Sequence, residues 1–84
     1  AMDPTISKRL LEHGANPNDK DSDGVTALIN AAYYGYTETM QGLLRHGAKV
    51  NEKSNDGVTA LMEAASAGKA EAINLLLKHG AHVN

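Results

Sequence analysis

The chain has 84 residues, a formal net charge of −2 and a hydrophobic content of 42%, which suits one small ordered domain or part of one. Without a cysteine it has no disulfide framework, no thiolate zinc ligand and no thiol nucleophile. Its slight acidity provides no general field for nucleic acid or an anionic membrane, and no apolar run is long enough to span a bilayer.

Ala1, Met2, Asp3 and Pro4 match nothing later in the chain and read as a cloning remnant, although Asp3 and Pro4 also suit the N-cap and first position of a helix. From Thr5 an opening helix is expected, with Ile6, Leu10 and Leu11 apolar and Gly14 just past its end. A polar, turn-forming stretch follows from Asn18 to Gly24. Thr26 is a good N-cap, because its hydroxyl can accept from a free backbone N–H of the first turn. Leu28, Ala31 and Ala32 behind it form an apolar stripe at i, i+3, i+4 spacing. Gly35 breaks that helix and lets the chain reverse. A second helix carries Met40, Leu43 and Leu44 and stops before Gly47, which suits a left-handed closing residue.

The same order then returns. The turn runs from Asn51 to Gly57, Thr59 is the cap, and Leu61, Ala64 and Ala65 are the stripe. Gly68 is the break, Ile73, Leu76 and Leu77 the second stripe, and Gly80 the stop. Residues 23–51 and 56–84 are identical at 17 of 29 positions at a fixed shift of 33. The segment from Leu43 to Ala48 also has a counterpart 33 residues earlier, from Leu10 to Ala15. Self-similarity at such a period indicates a stack of like units. Each unit is too thin to bury its own apolar face and needs neighbours. Ala31, Ala32, Ala64 and Ala65 are small enough for neighbouring helices to approach to roughly 8–10 Å. With three tyrosines as the only aromatics, the core is expected to be built from alanine and leucine.

In these elements the chain resembles the ankyrin repeats. The resemblance rests on Asp23, Gly24, Thr26, Leu28, Ala31, Ala32, Gly35, Glu38, Leu43, Leu44, Gly47, Ala48 and Asn51, and on the same set one period later. It covers residues 5–84 and implies an all-α solenoid of stacked helix-turn-helix units joined by β-turn hairpin loops. It divides the chain into a partial first repeat at 5–22, a second at 23–55 and a third at 56–84. Two departures stand out: Ala27 and Ala60 replace the usual proline, and Ile29 and Met62 replace the usual histidine. The threonine–histidine network of the family is therefore absent, and Ile29 and Met62 are expected to compensate by apolar contact.

The first unit has only its second helix, and neither end shows a polar capping repeat, so a fragment of a longer array is expected. Gly42, where the next unit has Leu75, costs roughly 0.8–1 kcal/mol of helix stability relative to alanine. Marginal stability and end-to-end self-association through the Leu10 and Leu77 flanks are the expected consequences.

Three chemical readings compete with the repeat. Asp19, Asp21, Asp23 and Gly24 match the opening of an EF-hand calcium loop, but the twelfth position is Asn30 rather than glutamate, and it falls within a helix. His13, His46 and His79 recur before a glycine at helix ends, where the dipole favours imidazolium. Ligation needs nitrogens about 2 Å from one ion, which stacked helices do not allow. No phosphate loop or nucleophile–base arrangement stands apart from the repeat. The chain is therefore read as no enzyme, with no metal and no cofactor.

Tyr33, Tyr34 and Tyr36 end one first helix, where the next unit has Ser66, Ala67 and Lys69. A core role would demand similar residues in both units. Tyr36 is expected to pack against the turn, and Tyr33 and Tyr34 to be exposed as binding anchors. The resemblance implies a protein-interaction module whose hairpin tips and inner helix face read a partner. The corresponding residues are Ser22, Asp23, Val25, Asn30, Tyr33 and Tyr34, then Asn55, Asp56, Val58, Glu63, Ser66 and Ala67. Their acidity favours a protein or peptide with basic and apolar residues, with no nucleic acid or membrane as partner. The alternative is a structural segment docking end to end. By resemblance, the location is intracellular, in cytoplasm or nucleus.

Overall fold

The computed structural model describes residues 16–83. The expected opening helix with Ile6, Leu10, Leu11, His13 and Gly14, the leading residues 1–4, and Asn84 lie outside the described residues. Four helices follow one another: α1 (Ala27–Tyr34), α2 (Thr37–Arg45), α3 (Ala60–Ser66) and α4 (Ala70–Lys78). Among the described residues there is no strand, only an isolated antiparallel bridge between Lys20 and Thr26 that closes the first hairpin. This is the all-α repeat architecture that the period implied.

Both first helices start in the same way. The Thr26 hydroxyl accepts from the Ile29 N–H at 3.2 Å and the Thr59 hydroxyl from the Met62 N–H at 3.2 Å. Each satisfies one of the free donors of a helix start, a contribution of about 1 kcal/mol. α1 ends at Gly35, whose φ of 71° is left-handed. The reversal lets the Tyr36 N–H reach the Ala31 carbonyl at 2.9 Å, and one period later the Lys69 N–H reaches Ala64 in the same way at 2.9 Å. In α2 and α4 an acid in the first turn, Glu38 or Glu71, and a base in the last, Arg45 or Lys78, suit the helix dipole.

Helices pack in two layers, α1 on α3 and α2 on α4, and a turn closes α1 onto α2 and α3 onto α4 within each unit. Leu28, Ala31 and Ala32 of α1 meet Ala60 and Ala64 of α3, while Met40, Leu43, Ala72 and Leu76 fill the other layer. Leu28, Met40 and Leu76 are the largest fully buried side chains, each worth about 1.5–3 kcal/mol of transfer energy. Small residues between α1 and α3 allow the close stacking.

Hairpins add polar clasps. The Asn18 side chain accepts from the Lys49 N–H at 2.7 Å and donates to the Gly47 carbonyl at 3.1 Å. Asn51 repeats this with the His82 N–H at 2.8 Å and the Gly80 carbonyl at 3.2 Å. One asparagine thus bridges each hairpin arm to the end of the next second helix.

The two units differ where the stack ends. Ile29 is buried at 3% exposure, as its compensating role required, but its counterpart Met62 is 44% exposed and compensates for nothing here. Ala65 is exposed although Ala32 is buried, and Leu77 is 42% exposed. All three lie on the face of the α3/α4 pair that α1 and α2 do not cover. Repeat position sets the residue type; burial also needs a neighbour on that side.

Candidate functional site

The hairpins stand beside the N-terminal ends of α1 and α3 and leave a groove between them of about 720 Å³. Val25, Asn30, Asp56, Val58 and Glu63, all expected in the partner surface, line it. The valines are half-buried and occupy the same place in adjacent hairpins. The exposed faces of α1 and α3 supply Asn30 and Glu63, three residues before Tyr33 and Ser66, so each helix continues the groove along one stripe.

Ser22, Asp23 and Asn55 have a different task. The Asn55 N–H donates to the Asp23 carbonyl at 2.9 Å, and its side-chain amide donates to the Ser22 carbonyl at 3.2 Å. These residues fasten one tip to the next, with their outer atoms exposed. Tyr33 and Tyr34 are 45% and 44% exposed. Their rings meet edge to face at 5.1 Å, and Tyr34 stacks on Tyr36 at 5.5 Å with 18° between planes. Tyr36 is half-buried against the core. The cluster is a pre-arranged aromatic patch at the end of α1, opposite the tips. Ser66, exposed, and Ala67, half-buried at the end of α3, hold the equivalent places without aromatic surface.

The groove also includes residues not expected there: Asp19, Lys20, Asp21 and Ser54 from the hairpin arms, and Ile29 beneath them. The dense carboxylates of the first arm are the available signal, which resembles the opening of a calcium loop but lacks its closing glutamate. In the fold the Asp21 Oδ1 accepts from the N–H groups of Asp23 and Val25, each at 2.9 Å, an aspartate turn closed on its own backbone. Asn30 sits within α1. Among the described residues, no three histidines or carboxylates gather as a metal site would require. His46 follows the same local logic, since its Nδ1 donates to the Gly42 carbonyl at 2.8 Å.

Among the described residues Lys20 is the one base in the groove lining, and it is already committed. Its Nζ lies 3.0 Å from the Glu52 Oε1 and donates to the Lys53 carbonyl at 3.2 Å. That hydrogen bond, and then the charge of Lys20, hold the Glu52 carboxyl below its ordinary pKa. Among the described residues the remaining charge around the groove is negative: Asp19, Asp21, Asp56 and Glu63.

A family model for ankyrin repeats matches residues 2–84 as three copies. Among solved structures, the ankyrin repeat domain of human ASB11 is similar, with a TM-score of 0.92 and 32% sequence identity over 96% of this chain. The chain spans 37% of the length of that domain. Among the described residues no helix is long and apolar enough to cross a membrane.

Proposed function

We propose, from the premise that the chain belongs to the ankyrin-repeat family, that it is a non-catalytic module binding a partner protein or peptide through its hairpin tips and inner helix face. Ankyrin repeats are in general protein-interaction modules, and the finer assignment is our reading. The observation that carries it is the pair Tyr33 and Tyr34. Both rings are exposed where the next unit has Ser66 and Ala67, whereas shared residues such as Leu28, Ala31, Leu43, Ala64 and Leu76 lie in the core. Rigid aromatic surface with a polar tip is the usual anchor of a recognition face. The acidic groove at the other end of α1 favours a partner with basic and apolar residues. The reading takes residues 5–22, 23–55 and 56–84 as a partial and two further repeats of a longer array, and an intracellular location.

The test is an affinity capture with the wild-type chain, the Tyr33→Ala/Tyr34→Ala variant and Leu76→Ala, each with its melting curve. The tyrosine variant should melt as the wild type does and lose the captured partner. Leu76→Ala should lose about 2–5 kcal/mol of stability. Retention of the partner by the tyrosine variant, or loss of binding only in step with unfolding, overturns the assignment.

A second reading has its own observation. Met62, Leu77 and His82 line an open apolar groove of about 310 Å³ on the outer side of the α3/α4 pair, whereas Ile29, one period before Met62, is covered. Docking end to end would bury that face. The surface that loses hydrogen exchange on complex formation distinguishes the two.

A further inference from the structure

We infer that the groove between the hairpins takes an extended segment of the partner in which a small aliphatic side chain is flanked on both sides by lysine or arginine. This rests on the reading of the tips and inner face as the partner surface, and adds the chemistry of what fits there.

The floor and the rim make different demands. Val25 and Val58 stand half-buried at matching places in neighbouring hairpins, and Ile29 lies beneath them at 3% exposure. The groove lining thus joins aliphatic side chains from two hairpins to polar ones, and an aliphatic side chain of the partner suits the aliphatic part. Around it stand Asp21 on one hairpin arm, Asp56 on the next tip and Glu63 on α3. The groove is therefore far more acidic than the chain as a whole, whose formal charge is −2. Lys20 does not neutralise it, because its ammonium is turned to Glu52 and the Lys53 carbonyl.

Asp21 is also pre-arranged. Two backbone N–H groups at 2.9 Å fix one carboxylate oxygen and leave the other to accept from a ligand. A fixed acceptor avoids the ordering cost of a free side chain. Ser54 occupies the equivalent place one period on, with its hydroxyl accepting from the Val58 N–H at 3.2 Å. The acids are thus unevenly placed: the first hairpin arm holds Asp21, and the following unit answers with Asp56 and Glu63. Acids from both units and valines from both hairpins share the lining, so a basic residue on either side of an aliphatic one has a carboxylate to meet. A small hard cation is no substitute, since it needs carboxylates converging at about 2.3–2.6 Å. An anionic partner meets like charge.

In an extended peptide alternate side chains share a face, about 6.6 Å apart. The probe is accordingly a fluorescein-labelled nonapeptide with valine at its centre, arginine two positions to either side, and glycine or serine elsewhere. Controls replace both arginines by serine, both by glutamate, or the valine by glycine. Fluorescence anisotropy against the full chain should give at least tenfold tighter binding for the arginine peptide than for the serine peptide at low salt. The glutamate peptide should not bind, and the valine-to-glycine peptide should bind several-fold less tightly. The Asp21→Asn/Glu63→Gln variant, checked for an unchanged melting curve, should erase the arginine advantage. Equal binding of the arginine and serine peptides, an advantage that survives in the variant, or no binding of any peptide overturns the inference.

A random-peptide selection against the same chain, mapped by amide protection, separates this from the wider reading. Selected peptides that are basic and protect Val25 and Val58 support both. Neutral or acidic peptides protecting the same groove overturn the charge inference and leave the partner surface standing. Peptides protecting only the outer sides of α2 and α4 overturn both.

Discussion

Gly24 lies directly against the backbone of Asn55: a β-carbon at position 24 would come within 2.8 Å of the Asn55 nitrogen. That nitrogen is the one donating to the Asp23 carbonyl, so the tip of one hairpin is fastened where the next passes closest. Gly57 has the same φ of 77°, yet a β-carbon there would meet nothing within 4 Å. Two glycines with one backbone shape therefore differ here in surroundings, because a following hairpin lies beside Gly24 and none lies beside Gly57 in this chain. In this chain Gly57 answers to conformation alone, and Gly24 to conformation and contact together.

Substituting alanine at each position separates the two effects. Both variants force an L-residue into left-handed backbone, at about 1–2 kcal/mol. Gly24→Ala adds overpacking against Asn55, typically a further 1–3 kcal/mol. Urea unfolding should show Gly24→Ala as the less stable, with Asn55 the amide most perturbed by NMR. Equal losses for the two variants would mean that the tips are not held together in solution.

Thr39 is buried at 4% exposure in α2, and its hydroxyl has no hydrogen-bond partner among the described residues. One period on, Ala72 fills the place at 0% exposure. An unsatisfied buried hydroxyl costs about 1–3 kcal/mol, while valine keeps nearly the same shape. Thr39→Val is therefore expected to raise stability by about 1 kcal/mol, read as a higher urea midpoint at constant slope. A fall in the midpoint would show that the hydroxyl is hydrogen-bonded in solution.

The Lys20–Glu52 contact fixes a direction for acid pH. The folded pKa of Glu52 lies below its ordinary value, so the contribution of the pair is complete above the unfolded value of about 4.3. It is lost as pH falls through the lower folded value. The pair is at the surface and its share of stability is small, so the site itself is the better readout. Carboxyl NMR titration should find Glu52 titrating at higher pH in Lys20→Met than in the wild-type chain. An unchanged titration would count against the ion pair.

Legibility of the fold from residues was high for a simple reason. A solenoid is held by contacts that recur, so each structural rule is written twice in the chain. Thr26 and Thr59 cap, Gly35 reverses the chain, and Leu28 and Leu76 are buried, as local chemistry required. The surface was less legible. Tyr33 and Tyr34 stood out because they break the repeat, and the structure leaves them exposed. Asp19, Asp21 and Lys20 did not stand out as groove residues, because a run of carboxylates in a turn looks alike whether it faces solvent, an ion or a neighbouring hairpin.

By itself, the sequence determined the period, the helix limits and which positions are alike, since capping, glycine stops and apolar spacing act within a few residues of one another. Only the tertiary structure decided which of two like positions is buried. Ile29 and Met62, or Ala32 and Ala65, hold equivalent places, but burial requires atoms from another unit on the same side. The groove was decided there too. It exists between hairpins 33 residues apart, and no local pattern states which side chains two neighbouring units turn toward each other.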